Sequence, residues 1–541
     1  MQCILLNSLY KVFSDEAPAA PAFQAASLLR NERFCVQAAL FSDKEVSLNA
    51  AVEGAFADCC TLYLAQEVPC EMPLYADSDD YYLRREPGLF PDVLRPLDGA
   101  FTLPAGKWTA VWAEIDPKGK LAAGDWDFAL TFRENGQEEA RCEAKLTMIA
   151  ADLPAQSLIC TNWFHTDCLS DYYKVPVFSE EYWRITENYV RTAVQHGINL
   201  ILTPLFTPAL DTEPGKERPT VQLVDITVTD GAYAFGFEKL TRWLDLCLSC
   251  GVEYFELSHL FTQWGAKHAP KIMAAADGKE KRIFGWETRA GGRAYTAFLT
   301  QFAAALTAYL QEKGLVERCF IHVSDEPSLA QYRSYKKKAD LLSRLFPGFR
   351  MIDALSDYKF FEKKVVKLPI PAVNHAEDFV GRVPEFWTYY CCGQHKDYVP
   401  NRFLAMPAER TRVLGFLLYQ SDCKGFLQWG YNFWNTQLSK ANLDPFRVTD
   451  AGKAFPSGDA FVVYPAQNGT VLPSLRLKLS YEAFQDMRAL QLLESRIGRE
   501  ATLALLNEGL PHTLTFKDYP RNAAWLVETR ERINQRIIQT V

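Results

Sequence analysis

The chain is predicted to be multidomain, with an N-terminal all-β sandwich followed by an α/β (β/α)8 TIM barrel and closing C-terminal helices. Three observations predict this. The first 150 residues carry short strand-like runs and few helical patterns. From about residue 157 such runs alternate with longer helical ones, and eight can be counted. At 541 residues, the chain exceeds what one compact core organises. The expected boundaries are 1–152 for the sandwich and 153–541 for the barrel, with "AADLPAQS" (150–157) as the linker.

In the N-terminal part, "EVSLNAAVEGAF", "CTLYLAQEV" and "KWTAVWAEID" have strand character. In "WDFALTFRENGQEEARCEAKLTMIA", Asn135-Gly136 separates two such runs and predicts a hairpin. Regular spacing of short strands suggests a sandwich. The eight barrel strands are read at 158–164, 198–203, 252–257, 318–324, 350–355, 366–373, 385–392 and 425–431. The sixth is the weakest, because Pro369 and Pro371 interrupt it. Among the helices, "SEEYWRITENYVRTAVQHG" opens on Ser179 as N-cap and ends before Gly197, and two further helical runs also end in glycine. After the eighth strand, a long loop leads to "PSLRLKLSYEAFQDMRALQLLESRIG", read as an amphipathic helix that closes the barrel, and then to a last helix in "AAWLVETRERINQRIIQ".

Composition narrows the function. Hydrophobic residues make up 48% and charged residues 23%, and the net charge is −8. No basic stripe invites nucleic acid. No run approaches the ~20 apolar residues of a membrane span. The first residues lack a basic n-region, so a cytoplasmic location is expected, and the 14 cysteines are read as mostly reduced, buried thiols. Aromatic residues reach 13%, a surplus that suits a sugar-binding cleft, where a flat ring covers the apolar face of a pyranose. The pair "CLSC" (247–250) falls in a helical pattern with no second pair suitably spaced, so no metal is expected, and no organic cofactor. Cys391-Cys392 and Cys59-Cys60 are read as buried strand thiols, and the oligomeric state is not legible.

Chemistry is expected at the C-terminal ends of the barrel strands. "CFIHVSDEPS" (319–328) ends the fourth strand in two adjacent acids, Asp325 and Glu326. Like charges this close resist joint ionisation, so one holds a proton near neutral pH. Pro327 biases Glu326 toward extended backbone. The same residues could instead form a plain helix start, capped by Ser324 or Asp325. Other strand ends offer further candidates for substrate binding: Asn162 and Trp163, His259 with Trp264 nearby, Asp353, Trp387 and Tyr389, and Trp429, Tyr431 and Asn435. Aromatic and amide groups recurring at several strand ends resemble a mouth built to stack on a sugar and bond its hydroxyls.

"HVSDEP" at strand four, "WTYYCCGQ" at strand seven, "GFLQWGYNFW" at strand eight and a late "DAFVVYP" resemble glycoside hydrolase family 123 and its relatives. The resemblance covers roughly residues 150–510. It implies a retaining β-N-acetylgalactosaminidase acting by substrate assistance on a small glycan or glycoconjugate. Glu326 would then be the general acid/base. Asp325 would bond the N–H of the substrate's 2-acetamido group, whose oxygen attacks C1. Two readings stand beside it. One is a glycosidase pairing Glu326 with a distant carboxylate such as Asp353, Asp167 or Glu256. The other is a glycan-binding protein without turnover.

Overall fold

The computed structural model describes residues 1–263 and 265–540. Two five-stranded sheets form the N-terminal part. One runs in the order Gln2–Asn7, Phe34–Phe41, Thr109–Ile115, Cys60–Cys70, Gly88–Pro96. The other runs Ala25–Leu29, Gln137–Ile149, Gly124–Glu134, Val46–Glu53, Ala100–Leu103. Alternation drives the pairing. Along Gln137–Ile149, Cys142, Ala144, Leu146 and Met148 point inward while Glu143 and Lys145 point out. These residues meet Leu5, Val36, Leu40 and Val111 of the facing sheet in one core. Asn135 (φ 49°) and Gly136 (φ 84°) make the expected hairpin turn, whose left-handed backbone suits Asn and Gly. A disulfide joins Cys3 to Cys142 across the sheets, and the other twelve cysteines are free.

All eight predicted barrel strands are present: Ile159–Asn162, Leu200–Thr203, Tyr254–Leu257, Cys319–His322, Arg350–Ala354, Leu368–Ile370, Trp387–Tyr389 and Gly425–Gln428. They pair in parallel into one sheet that nearly closes. Its seam lies between the sixth and seventh strands, where the Tyr389 N–H donates to the Pro371 carbonyl at 3.0 Å. That is where Pro369 and Pro371 withhold donors from the ladder. Leu200, Leu202, Phe320, Ile352, Leu368 and Trp387 fill the interior. Gly425 makes room for the Trp387 ring, which a Cβ there would meet at 2.0 Å.

Helices cover the barrel as the periodicity predicts. Glu180–Gln195 is capped by Ser179, whose hydroxyl accepts the Tyr182 N–H. Glu238–Ser249, Arg293–Glu312 and Tyr332–Leu345 follow the next strands. Among the described residues, no helix is long and apolar enough to cross a membrane.

Two features depart from expectation. A four-stranded sheet, Asp225–Thr229, Ala232–Gly236, Ile272–Ala276 and Lys279–Phe284, grows out of the excursions after strands two and three. The helix Leu475–Ile497 is not amphipathic in place, because its first turns are buried on every side. It lies between sandwich and barrel, and its charges are matched there. Arg476 forks onto Asp92 at 2.9 and 2.7 Å, Lys478 meets Glu114 at 2.6 Å, and Asp486 takes both Arg412 and Arg530.

The segment 71–87 leaves the sandwich and straps onto the barrel mouth. Asp79 receives both Arg410 Nη atoms at 2.8 Å, and the Tyr75 hydroxyl donates to the Ala454 carbonyl at 3.0 Å.

Candidate active site

A cavity opens at the C-terminal ends of the strands, where this architecture carries chemistry. Its wall includes Trp163, Asp211, Gln263, Asp325, Glu326, Tyr389, Cys391, Cys392, Trp429 and Phe455. A larger cleft of about 880 Å³ lies between sandwich and barrel. Size alone would favour it. It is away from the strand ends, however, and Arg33, Asp116, Lys478 and Glu114 on its wall are already paired with one another.

The fourth strand stops at His322, and the chain is then turned by hand-holds on its neighbours. The Ser324 N–H donates to Asp353 at 3.2 Å and the Glu326 N–H to the Ala354 carbonyl at 3.0 Å. Glu326 is left-handed, with φ 42°, not extended as Pro327 suggested. An extended strand would send neighbouring side chains to opposite faces. The left-handed turn removes that constraint, and both acids line one cavity. Neither caps a helix: Ser328 stands at the following helix start, its N–H donating to Gln331 Oε1 at 3.0 Å.

The two acids differ in surroundings. Glu326 stands exposed at the rim, and its Oε1 accepts the Tyr389 hydroxyl at 2.5 Å. Asp325 sits deeper and, among the described residues, its carboxyl has no hydrogen-bond partner. Burial holds the Asp325 carboxyl well above the usual carboxylate range; Glu326 and Asp353 push it further, and His322 opposes them.

Behind Asp325 lies a buried charge relay. His322 Nε2 donates to Glu256 at 2.5 Å, and its Nδ1 is 3.8 Å from Asp353. Burial alone would lower the imidazole's pKa, but the two carboxylates raise it to about 9, so His322 is a cation at neutral pH. His259 stacks on it at 4.3 Å and is kept neutral by burial and by that cation. Glu256 also accepts Thr161 Oγ1 and Trp163 Nε1, each at 2.7 Å, which fixes the Trp163 ring in the wall. Trp429 is fixed likewise, its Nε1 donating to Asp459 at 2.9 Å. Burial, offset in part by Arg402, lifts Asp459 to about 7.

The structure thus brings Asp325, Glu326, Trp163, Tyr389 and Trp429 to the cavity. It places the other predicted binding residues elsewhere. Asp353 and His259 lie behind the wall. Asn162 is buried and accepts Arg402 Nη1 at 2.6 Å. Trp387 begins its strand, so it packs one layer below Tyr389 against Phe320. The Tyr431 ring packs on Phe164, and its hydroxyl donates to the Tyr189 carbonyl at 2.9 Å. Asn435 is buried, with its amide toward Cys168 Sγ at 3.5 Å. Trp264 lies outside the described residues. Cys391 and Cys392, expected in a strand core, are half-buried on the cavity wall.

Sequence reasoning missed Asp211, Gln263, Phe455 and Asp459. Asp211 is left-handed (φ 49°), its N–H donates to Gln263 Oε1 at 2.5 Å, and its Oδ1 accepts the Leu438 N–H at 3.1 Å. Among the described residues its Oδ2 has no partner, and burial raises its pKa to about 6.

Over its full length the chain is similar to a family 123 glycoside hydrolase from Clostridium perfringens, studied for glycolipid glycan hydrolysis. That match has 14% identity and a TM-score of 0.76, and covers 100% of this chain and 98% of the other. A family 39 glycoside hydrolase from Bacteroides cellulosilyticus matches at 9% identity and a TM-score of 0.33, covering 88% of this chain and 82% of its own. No curated protein sequence matches. The model of the glycoside hydrolase 123 catalytic domain matches residues 163–493, more than half of the chain. A barrel of this kind, with paired acids at its mouth and that match across it, belongs to glycoside hydrolase family 123.

Proposed function

We propose that this glycosidase releases terminal β-linked N-acetylhexosamine, with a preference for N-acetylgalactosamine, by substrate-assisted retention. The observation that carries the reading is the adjacency of Asp325 and Glu326 on one cavity wall. Conventional retaining enzymes hold two carboxyls about 5 Å apart across the scissile bond. Neighbours in sequence do not straddle a sugar in that way. When the sugar's own acetamide is the nucleophile, both acids can work from one side.

In this reading Glu326, oriented by the Tyr389 hydroxyl, protonates the glycosidic oxygen and later takes a proton from water. Asp325 accepts the acetamide N–H and steadies the positive charge of the oxazolinium as it forms. Burial raises its pKa in the free protein, and the nearby His322 cation favours the ionised form that the oxazolinium needs. Trp163 and Trp429 offer the sugar rigid apolar faces.

The three distant carboxylates named as partners for Glu326 are committed elsewhere: Glu256 to His322, Asp167 to Arg218 at 2.7 Å, and Asp353 to Tyr335. A second reading rests instead on Asp211, which reaches the same cavity with Oδ2 unpartnered and could serve as the opposing carboxylate of a conventional pair. Hydrolysis of an aryl β-N-acetylgalactosaminide, blocked by a thiazoline mimic of the oxazoline, supports the first reading. Turnover of aryl glycosides lacking the acetamide, insensitive to the thiazoline and abolished in Asp211→Asn, would replace it with the second. Under the first reading, Asp325→Asn lowers kcat on every leaving group by roughly 10²–10³-fold, the scale of one preorganised electrostatic contact.

A further inference from the structure

Cys391 and Cys392 follow the seventh strand directly and share the cavity wall with Asp325 and Glu326. The turn that carries them is pinned. The Cys391 N–H donates to Gln394 Oε1 at 2.8 Å, and Asn401 Nδ2 donates to the carbonyls of Cys391 and Gln394, each at 2.8 Å. The Gly393 N–H points at Cys391 Sγ at 3.5 Å. Both thiols are half-buried and line the cavity. The other adjacent pair is built differently. Cys59 and Cys60 sit where a 3₁₀ turn becomes a strand, and each thiol faces a backbone carbonyl, that of Phe56 and that of Thr61. CxxC neighbours Cys247 and Cys250 are buried in a helix and its end.

We propose that Cys391 and Cys392 form a two-thiol capture site for trivalent arsenicals in the wall of the active-site cavity, and that its occupation blocks the cavity. The reaction is a condensation without electron transfer. An organoarsonous acid, R–As(OH)2, meets two S–H groups; two As–O bonds break, two As–S bonds form, and two waters leave with the thiol protons. The fixed turn makes the second As–S bond intramolecular, so the ring resists competing monothiols through its high effective concentration. A neighbouring dithiol reagent has the same advantage and removes the arsenic. The Cys391 thiol is held well above its usual pKa by the Cys392 thiol, by burial and by Glu326, which disfavours the thiolate and slows simple alkylation. Blocking rests on the reading of this cavity as the glycoside site, whereas capture does not.

The test uses the full chain with phenylarsine oxide in excess monothiol. Intact mass is expected to show one retained phenylarsenic unit, removed by dimercaptopropanol. Cys391→Ala and Cys392→Ala each lose it, and the double variant C59A/C60A keeps it, with circular dichroism confirming that all three are folded. Hydrolysis of whichever aryl glycoside the protein turns over is expected to stop on capture and return with dimercaptopropanol. No retained adduct, or an adduct that survives in both single variants, overturns the capture site. An adduct at this pair with turnover unchanged overturns the blocking. If no aryl N-acetylhexosaminide is hydrolysed, the proposed function fails while the mass readout still decides capture.

Discussion

The seam between sandwich and barrel and the mouth of the barrel are both charged, but they treat charge in opposite ways. In the seam each carboxylate meets a guanidinium or ammonium: Asp92 with Arg476, Glu114 with Lys478, Asp486 with Arg412 and Arg530. On the cavity wall Asp325, Glu326 and Asp211 stand together, and among the described residues no Lys, Arg or His shares the lining. Matched charge in a low-dielectric setting fixes register between two halves. Unmatched charge costs stability and is kept where protons or developing cations must be handled. The contrast separates the structural from the chemical carboxylates better than burial does.

That contrast can be broken by experiment. The largest effect is expected from Glu326→Gln, which under the proposed function removes the proton donor at the mouth. Turnover of substrates with poor leaving groups should fall by about 10²–10⁴-fold, the range of general acid–base contributions, with little change in denaturant midpoint. Asp92→Ala inverts the pattern. It strands Arg476 without its partner and should cost about 3–5 kcal/mol of unfolding free energy, read by urea titration. Tyr389→Phe removes one hydrogen bond to the Glu326 carboxyl. A hydrogen bond contributes about 0.5–1.5 kcal/mol net, so kcat should drop with KM nearly unchanged.

The smallest effect sharpens the comparison most. The folded-state pKa of Asp325 is raised, so its protonated form favours the native state. That contribution is present below the unfolded value near ~4 and is lost as pH rises through the folded value. Asp325→Asn therefore should raise Tm at neutral pH while lowering activity, and the gain should vanish as the pH approaches ~4. A seam carboxylate changed in the same way should only lose stability.

Much of this was legible in the sequence because β/α alternation, Ser N-caps and glycine stops repeat along the barrel. The added four-stranded sheet carried turn signals as good as Asn135-Gly136, namely Asp230-Gly231 and Asp277-Gly278, all with positive φ. Lys279–Phe284 hid because it is mostly charged and largely exposed, and Asp225–Thr229 and Ala232–Gly236 alternate over only five residues each. At the site, strand-end position exposed Asp325 and Glu326. Period two placed Trp387 and Tyr389 on one face but said nothing of depth, and a spacing of two residues is about 6–7 Å along a strand. Tyr431 lies past its strand's end, where alternation no longer holds. Asp211 had no local signal, since its pose is set by Leu438 and Gln263 from other loops.

The strap at 71–87 bears on how such an enzyme could be rearranged by recombination. Asp79 grips Arg410 and accepts the Tyr398 N–H, on the stretch that follows the Cys391–Gln394 turn, and Tyr75 anchors the loop that carries Phe455. A graft that exchanged the N-terminal strands for another accessory module would therefore arrive without two of the fastenings of the catalytic rim. Recombination between the halves is expected to yield folded barrels with slack, poorly active mouths.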